Sequence, residues 1–370
     1  MKEINKKIIP WFGPEIGKEE KGLIYDVLKS GYLNDGQISR LFEAKIAGLL
    51  GVKHCVSVTS GTAAIALTLM GLGIGPQDEV IVPDLTFIAT ANAVRLAGAK
   101  VRLVDIEPQR FTIDIDKVTC AIGPHTRAII PVDVNGRGPD YNALESLAKN
   151  KGLFLICDAT EGLGSKWKGR YLGTFGDAGC FSFSPNKTIT TGQGGMVATN
   201  NTKLYHRLRE LKDQGRRSQG TGGNDLHPVM GFNFKFTNLQ AAIGLGQLKK
   251  LTQRLNKSKL RDKWYKEYLG NSRDIQFPEV LANNKGEITQ WTDILVKDRE
   301  KLESVLNSAN IVFRAFWHPL HTQAPYASKS RLFLNSTSVS KRGLWLPSFF
   351  SITKQQVKYI SKVISENMVK

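Results

Sequence analysis

Leu153-Phe154-Leu155-Ile156-Cys157 is an unbroken apolar run, and it stops on Asp158-Ala159-Thr160-Glu161. A run this short and this apolar reads as a strand buried on both faces, the kind a parallel sheet supplies. In open sheets of that type ligands bind beyond the carboxyl ends of the strands. Asp158 stands at such an end. Its carboxylate has two readings there: a helix cap for Ala159 onward, or an acid aimed into a crevice. The strand by itself leaves both open.

Outward from that run, β-rich segments alternate with helical ones. His54 to Thr59, Glu79 to Pro83, Val101 to Val104, Ala128 to Val132, Gly179 to Phe183 and Gly195 to Thr199 read as strands. Gly17 to Ser30, Ala63 to Met70, Ala89 to Ala97 and Tyr141 to Lys149 read as helices. Such alternation predicts an α/β fold with a mostly parallel sheet covered by helices. After about residue 245 the chain becomes helix-rich and basic, with Thr292 to Val296 and Ile311 to Phe316 as further strands. The expected division is a large α/β domain over 1–245 and a small α+β domain over 246–370. No internal repeat interrupts it.

The 370 residues are 41% hydrophobic and 23% charged, an ordinary globular balance. Cys55 to Gln77 is uncharged and long enough to span a bilayer, but Ser60-Gly61-Thr62 and three later glycines break it. It reads as a buried strand, a turn and a buried helix. Met1 to Lys7 is polar and lacks the apolar core of a signal peptide, so the expectation is a soluble, cytoplasmic protein. Cys55, Cys120, Cys157 and Cys180 form no CxxC pair and read as buried reduced thiols. The formal charge of +18 concentrates at Lys249, Lys250, Arg254, Lys257, Lys259, Arg261, Lys263 and Lys266. That spacing reads as the solvated face of a helix whose other side carries Leu248, Leu251, Leu255 and Leu260. No nucleic-acid motif accompanies it, so nucleic acid is not an expected partner. An anionic small substrate suits the field.

Phe181-Ser182-Phe183-Ser184-Pro185-Asn186-Lys187 runs from a strand into a polar loop that continues to Gly192-Gln193-Gly194-Gly195. Lys187 is either a surface lysine or an amine held in a partly buried pocket, where desolvation favours its neutral, nucleophilic form. Glycines beside it let backbone approach a planar ligand.

Ordered motifs settle the choice by resemblance. Asp158-Ala159-Thr160-Glu161, Gly176-Asp177-Ala178-Gly179-Cys180-Phe181-Ser182-Phe183, Lys187 and Gly194-Gly195 resemble the DegT/DnrJ/EryC1/StrS family of sugar aminotransferases. So do Ser60-Gly61-Thr62-Ala63-Ala64, Gly73 to Pro83, Thr86 to Ala93 and Gly231 to Ala242. The resemblance covers nearly the whole chain and implies the type I pyridoxal-phosphate (PLP) aminotransferase fold, with active sites shared across a homodimer. It implies that Lys187 is the Schiff-base lysine and proton shuttle, and that Asp158 pairs with the pyridine nitrogen. Phe87 is expected to stack on the ring. Gly61, Thr62 and Ala63, opening a helix, with Ser182, are expected to hold the phosphate, and Asn233 to reach it from the neighbouring subunit. Glu161 stands where many members have Gln, near the cofactor's 3′-oxygen, and resembles the perosamine-forming branch.

The implied reaction moves an amino group from L-glutamate to a nucleotide-linked keto sugar, first of all GDP-4-keto-6-deoxy-mannose. Two other readings stand beside it: a PLP-dependent sugar dehydratase, in which histidine replaces the lysine, and a non-catalytic PLP-binding regulator, for whose expected DNA-binding domain Met1 to Pro14 is too short. Trp317 and His318 are expected to contact substrate. His318 and His321 have metal-pair spacing, but Pro319 opposes a helix there, and no metal is expected. Gly71, Gly73 and Gly75 precede a strand instead of following one, so they are not a dinucleotide fingerprint. Arg216 to Gly223 reads as a mobile loop that closes over an anionic substrate.

Overall fold

The computed structural model describes residues 8–217, 225–281, 284 and 286–368. The chain opens with α1 (Lys18–Ser30) and α2 (Gln37–Leu50), then alternates β1 (His54–Val58), α3 (Gly61–Gly71), β2 (Glu79–Pro83), α4 (Ala89–Leu96) and β3 (Lys100–Val104). It continues with α5 (Ile115–Ala121), β4 (Thr126–Ile129), α6 (Tyr141–Lys151) and β5 (Phe154–Asp158). A short ribbon, β6 (Lys166–Trp167) and β7 (Arg170–Tyr171), precedes β8 (Ala178–Ser182) and β9 (Gly195–Thr199). Then follow α7 (Thr202–Lys212), α8 (Asn238–Leu248), α9 (Leu251–Leu269), β10 (Ile275–Gln276) and β11 (Asp293–Val296). The C-terminal part adds α10 (Arg299–Ser308), β12 (Arg314–Ala315), α11 (Leu334–Arg342), β13 (Gly343–Trp345) and α12 (Lys354–Met368).

Among the described residues seven strands form one sheet in the order β1-β9-β8-β5-β4-β2-β3. The β5–β8, β4–β5, β2–β4 and β2–β3 pairs are parallel, and β9 runs opposite to both its neighbours, β1 and β8. The mostly parallel, mixed α/β sheet expected from the alternation is therefore present. The central strands β5, β8 and β9 are buried on both faces because helices cover both, whereas the edge strand β3 exposes Lys100 and Arg102. α3 is apolar nearly all round, as a fully enclosed helix must be, and Ala64, Ile65, Ala66, Leu67 and Leu69 are all buried in it. β1 and α3 together are the uncharged stretch from Cys55. Among the described residues no helix is long and apolar enough to cross a membrane.

A second, four-stranded sheet runs β10-β11-β13-β12 and has its own core, including Ile294, Leu344, Ile360 and Ile364. Its membership is not purely C-terminal. Ile9 pairs with Ile311, and Trp11 packs against Trp291 and Trp345, so the first described residues join this second core. Residue 245 lies inside α8, not at a break in the chain.

The basic helix differs from its sequence reading. In α9 the buried positions are Leu251, Arg254, Ser258, Arg261, Tyr265 and Leu269, whereas Leu260 is 47% exposed. Two arginines expected in solvent are inside because backbone carbonyls await them. Arg254 donates to the carbonyls of Thr188 (3.0 Å) and Glu15 (3.0 Å), and Arg261 to those of Ser348 (3.1 Å) and Thr289 (3.1 Å). Guanidinium groups satisfy fixed carbonyls in several directions at once, which leucine cannot. Cys55, Cys157 and Cys180 are buried free thiols, but Cys120 is exposed on α5. Burial pushes the Cys180 thiol up to about 12. Of the loop beginning at Arg216, residues Ser218 to Gly223 lie outside the described residues, as do Met1 to Lys7.

Glu20 pins α1 to α8 and α9. Its carboxylate accepts from Gly17 N–H (2.7 Å), Gln247 Nε2 (2.7 Å) and Lys250 Nζ (2.7 Å). Burial raises its pKa, but the lysine and the backbone donors outweigh that and hold it at about 2, below its ordinary 4.5. The folded value is the lower one, so this group stabilises the fold above about pH 4.5 and loses that contribution as the pH falls toward 2. Glu20→Gln is expected to cost about 2 kcal/mol at pH 7. In urea melts at stepped pH, the gap between parent and variant should close between about 4.5 and 2. A gap that stays constant with pH overturns the assignment.

Candidate active site

β1, β2, β5 and β8 all end at the same edge of the large sheet, and β9 begins there. Register does the placing: Val58 and Ser182 both face Gly195 across the ladder, and Asp158 faces Cys180. The turns after these strands therefore converge on a cavity of about 390 Å³. A side chain at Gly195 would collide with the carbonyl of Ser60, so only glycine lets the β9 backbone lie against the start of α3.

Lys187 sits in the loop between β8 and β9, its N–H donating to Ser184 O (3.0 Å). Its side chain is 12% exposed. Nζ lies 3.2 Å from Glu161 Oε1 and 5.4 Å above the Trp291 ring centroid. The other Glu161 oxygen accepts from Asn135 N–H (2.9 Å). Asp158, also buried, accepts from Thr90 Oγ1 (2.7 Å) and from Thr160 N–H (3.2 Å), and Thr90 Oγ1 lies 3.0 Å from Thr86 Oγ1. Both carboxylates are thus hydrogen-bonded beneath the surface, and each oxygen retains a lone pair for a ligand.

Behind them lies a third acid. Asp133 is fully buried, accepts from Tyr141 Oη (2.5 Å) and donates its own N–H to Asp158 O (2.9 Å). Burial pushes the Asp133 carboxyl well above the usual range, the tyrosine hydroxyl opposes this, and the nearby Asp158 charge adds to it.

At the opposite side of the cavity α3 presents its N-terminus. Ser60 Oγ accepts from Ala63 N–H (3.1 Å), leaving the Gly61 and Thr62 N–H groups facing the cavity with no acceptor among the described residues. A Cβ at Gly61 would meet Ser182 Cβ and Thr160 Cγ2, each at 3.0 Å. The result is a narrow polar cradle at a helix start, the arrangement that receives a phosphate.

Of the residues singled out from the sequence, Lys187, Asp158, Glu161, Gly61, Thr62, Ser182, Phe87 and Trp317 line this cavity. Phe87 is 51% exposed, its ring open to the space. Ala63 is buried and its N–H is spent on the Ser60 cap, so it lies outside the lining. Asn233 is exposed and also outside it, its backbone paired with Asp213. His318 is exposed, whereas His321 is buried and bonds Asp84 Oδ2 through Nδ1 (2.7 Å). Among the described residues no group of three or more His, Cys, Asp or Glu is placed to hold a metal. Sequence reasoning missed Thr90, Asn135, Trp291 and Arg314. Thr90 lay within a quoted motif but had no assigned partner. The other three carry no local signal: Trp291 and Arg314 join the cavity wall only once the second sheet docks, and Asn135 stands behind Glu161, outside the lining.

A model of the DegT/DnrJ/EryC1/StrS aminotransferase family matches residues 14–365. The chain belongs to that family. This DegT/DnrJ/EryC1/StrS aminotransferase is 36% identical over 366 residues to a GDP-perosamine synthase of Escherichia coli O157:H7, covering 97% of this chain and 98% of the other. It is 35% identical over 337 residues to a UDP-N-acetyl-3-dehydro-alpha-D-glucosamine 3-aminotransferase of Acidithiobacillus ferrooxidans, covering 90% and 89%. Among solved structures it resembles DesV of S. venezuelae in complex with a ketimine intermediate, at 30% identity and a TM-score of 0.91, with 95% of each chain covered. Members of this family depend on PLP, and the residues fit that group. The cradle at Gly61 suits its phosphate, the spare lone pairs of Asp158 suit a protonated ring nitrogen, and Lys187 supplies an amine.

Thr90→Val removes the hydroxyl that Asp158 leans on without changing the volume much. The expected result is about tenfold weaker PLP binding, since a hydrogen bond to a charged group contributes about 1.5 kcal/mol. Titrating the cofactor-free protein with PLP, followed by absorbance, measures it. Unchanged affinity would show that the Thr90 bond plays no part in seating the cofactor.

Proposed function

We propose that this aminotransferase carries the amino group of L-glutamate to a nucleotide-linked keto sugar, with a GDP-linked 4-keto-6-deoxy sugar as the first candidate. The observation that carries the mechanism is the lysine–carboxylate constellation: Lys187 against Glu161, beside a buried Asp158, facing an open helix N-terminus. The sugar assignment rests on the similarity to GDP-perosamine synthases together with Glu161. A nucleotide outside GDP is the second reading, favoured by the comparable similarity to a UDP-sugar 3-aminotransferase. The dehydratase alternative is disfavoured by Lys187 itself, since histidine stands there in such enzymes.

PLP, when bound, supplies an aldehyde that joins to amines and a pyridinium ring that draws electrons from the carbon losing its proton. The chain supplies everything else. Lys187 Nζ holds the cofactor and, once released, takes the proton from the α-carbon of the amino donor. In the second half it delivers a proton to the sugar carbon that gains nitrogen. Glu161 Oε1 keeps the free ammonium of Lys187 in reach between these steps. The Asp158 carboxylate, its orientation fixed by Thr90 and the Thr160 N–H, would pair with the ring nitrogen and favour its protonated form. Phe87 would cover one face of the ring, Gly61, Thr62 and Ser182 would hold the phosphate, and Trp317 would meet the sugar. His318, exposed and outside the lining, has no part in this assignment.

The same reading extends to assembly. Asn233 does not reach its own cavity, which supports a homodimer in which Asn233 of a second copy completes the phosphate site. It also retains a two-unit division, moved to the α8–α9 junction at Lys249–Lys250, because a divide at 245 cuts a helix. A biosynthetic role in a polysaccharide or glycosylated metabolite, in the cytoplasm, accords with such a substrate.

The holoenzyme should be yellow, bleach on addition of L-glutamate and regain colour with a keto acid. Lys187→Ala should lower turnover at least about a thousandfold while the fold survives, because the proton transfers lose their general base. Full turnover in that variant sinks the mechanism. Amination of GDP-, UDP- and dTDP-linked 4-keto-6-deoxy sugars and a 3-keto analogue, read by mass spectrometry, tests the substrate. Turnover of the GDP sugar alone supports the first candidate, and preference for another nucleotide replaces it.

A further inference from the structure

Four charged side chains line the cavity: Asp158, Glu161, Lys187 and Arg314. Three of them are engaged. Glu161 and Lys187 pair with each other, and Asp158 is held by Thr90 and Thr160. Arg314 is different: among the described residues it makes no hydrogen bond and no ion pair. Its guanidinium rests on aromatic faces instead, 5.4 Å from the Trp11 ring centroid and 5.6 Å from that of Trp345. Aromatic faces orient such a group but accept none of its five N–H donors in its plane. The side chain is half-buried, so those donors are withdrawn in part from water while facing a ligand cavity. A planar fork in that state is complementary to a carboxylate.

We propose that Arg314 is the receptor for a carboxylate of the amino donor. The inference rests on the aminotransferase reading and adds to it a residue that separates the two substrates. Three observations support the choice of ligand. First, the site's other anion position, at the start of α3, belongs to the large sheet and faces Ser182, whereas Arg314 arrives on β12 of the second sheet. The two positions stand on different walls and serve different anions. Second, among the described residues the other cation in the lining is Lys187, whose amine is taken up with the cofactor. Arg314 is therefore the lining cation left for a substrate. Third, the α-carboxylate of an amino acid is attached to the carbon that reacts, so its receptor must share a small cavity with Lys187, as Arg314 does. The diphosphate of a 4-keto sugar is attached to the anomeric carbon, across the pyranose ring from the reacting one. It extends away from Lys187 and needs no cation in this lining.

A consequence separates the half-reactions. The donor carries a carboxylate at its reacting end and the keto sugar does not, so removing the guanidinium should damage the first half-reaction and spare the second. The experiment uses Arg314→Gln and Arg314→Lys holoenzymes. The first half is the L-glutamate dependence of the loss of yellow colour in stopped flow. The second is the return of colour when the pyridoxamine-phosphate form meets the keto sugar. Glutarate, a dicarboxylate without an amine, serves as the binding probe in calorimetry. The expected result for Arg314→Gln is about 30-fold weaker apparent affinity for glutamate, with loss of glutarate binding, as two charge-assisted hydrogen bonds disappear. Its second half-reaction should stay within about threefold of the parent, and Arg314→Lys should recover part of the loss because it keeps charge without the fork.

Equal affinity for glutamate in parent and Arg314→Gln overturns the proposal. A larger loss with the keto sugar than with glutamate also overturns it and assigns Arg314 to the diphosphate. Weakened PLP binding in both variants overturns it in favour of a role in seating the cofactor. A parent enzyme that is not bleached by glutamate at all defeats the donor assignment itself, which is distinguishable because the variants then have no parent response to lose.

Discussion

Two carboxylates, Asp158 and Glu161, are carried below the surface at the end of β5, and neither is stable there as a bare charge. Meeting that requirement organises the site. Asp158 takes a hydroxyl from α4 through Thr90, while Glu161 takes the Lys187 ammonium on one oxygen and the Asn135 N–H on the other. Asn135 then commits its side chain to Trp291, donating to the Trp291 carbonyl (2.7 Å) and accepting from its N–H (2.8 Å). Trp291 lies under Lys187 and against Trp11 and Trp345. One buried ion pair is thus continuous with the contact that docks the second sheet onto the first. The backbone of Asn135 adopts φ of 52°, a left-handed conformation asparagine tolerates better than most residues.

The positive charge of the chain is only partly a surface property. Arg254 and Arg261 on α9 are interior groups, and the Thr188 carbonyl that Arg254 holds follows Lys187 in the chain. A second interior pair, Arg137 with Asp293 at 2.6 Å, ties the loop after Asn135 to β11. Charges that composition alone assigns to solvent therefore stiffen the frame around the lysine. Removing one partner of such a pair leaves the other buried and uncompensated, which is why these contacts constrain the structure more than their modest net contribution suggests.

Local sequence was informative where a physical period or a steric demand expresses itself within a few residues. The apolar run ending at Asp158 and the strand entering the Lys187 loop were readable, because burial on both faces demands those residue types on the spot, whereas Gly195, expected to let backbone approach a ligand, makes room for the Ser60 carbonyl at the start of α3. The resemblance added roles to those positions. Helix faces were less legible. The leucine spacing found only part of the α9 interior: Leu251 is buried and Leu248 and Leu255 pack against the same core, but Leu260 is exposed, and apolar periodicity says nothing about carbonyls elsewhere that can satisfy a buried arginine.

The sequence by itself determined the alternating α/β architecture and the strand ends and turns at which Asp158, Lys187 and Ser60-Gly61-Thr62 stand, while the roles expected of them came from the resemblance. Only the tertiary structure decided which hydroxyl holds Asp158, that Asn135 and Trp291 connect Glu161 to the second sheet, and that Arg314 faces the same cavity as Lys187. The reason is distance along the chain. Asn135 and Trp291 are 156 residues apart, and their contact is set by how two sheets dock, a property of the packed whole that no local pattern encodes.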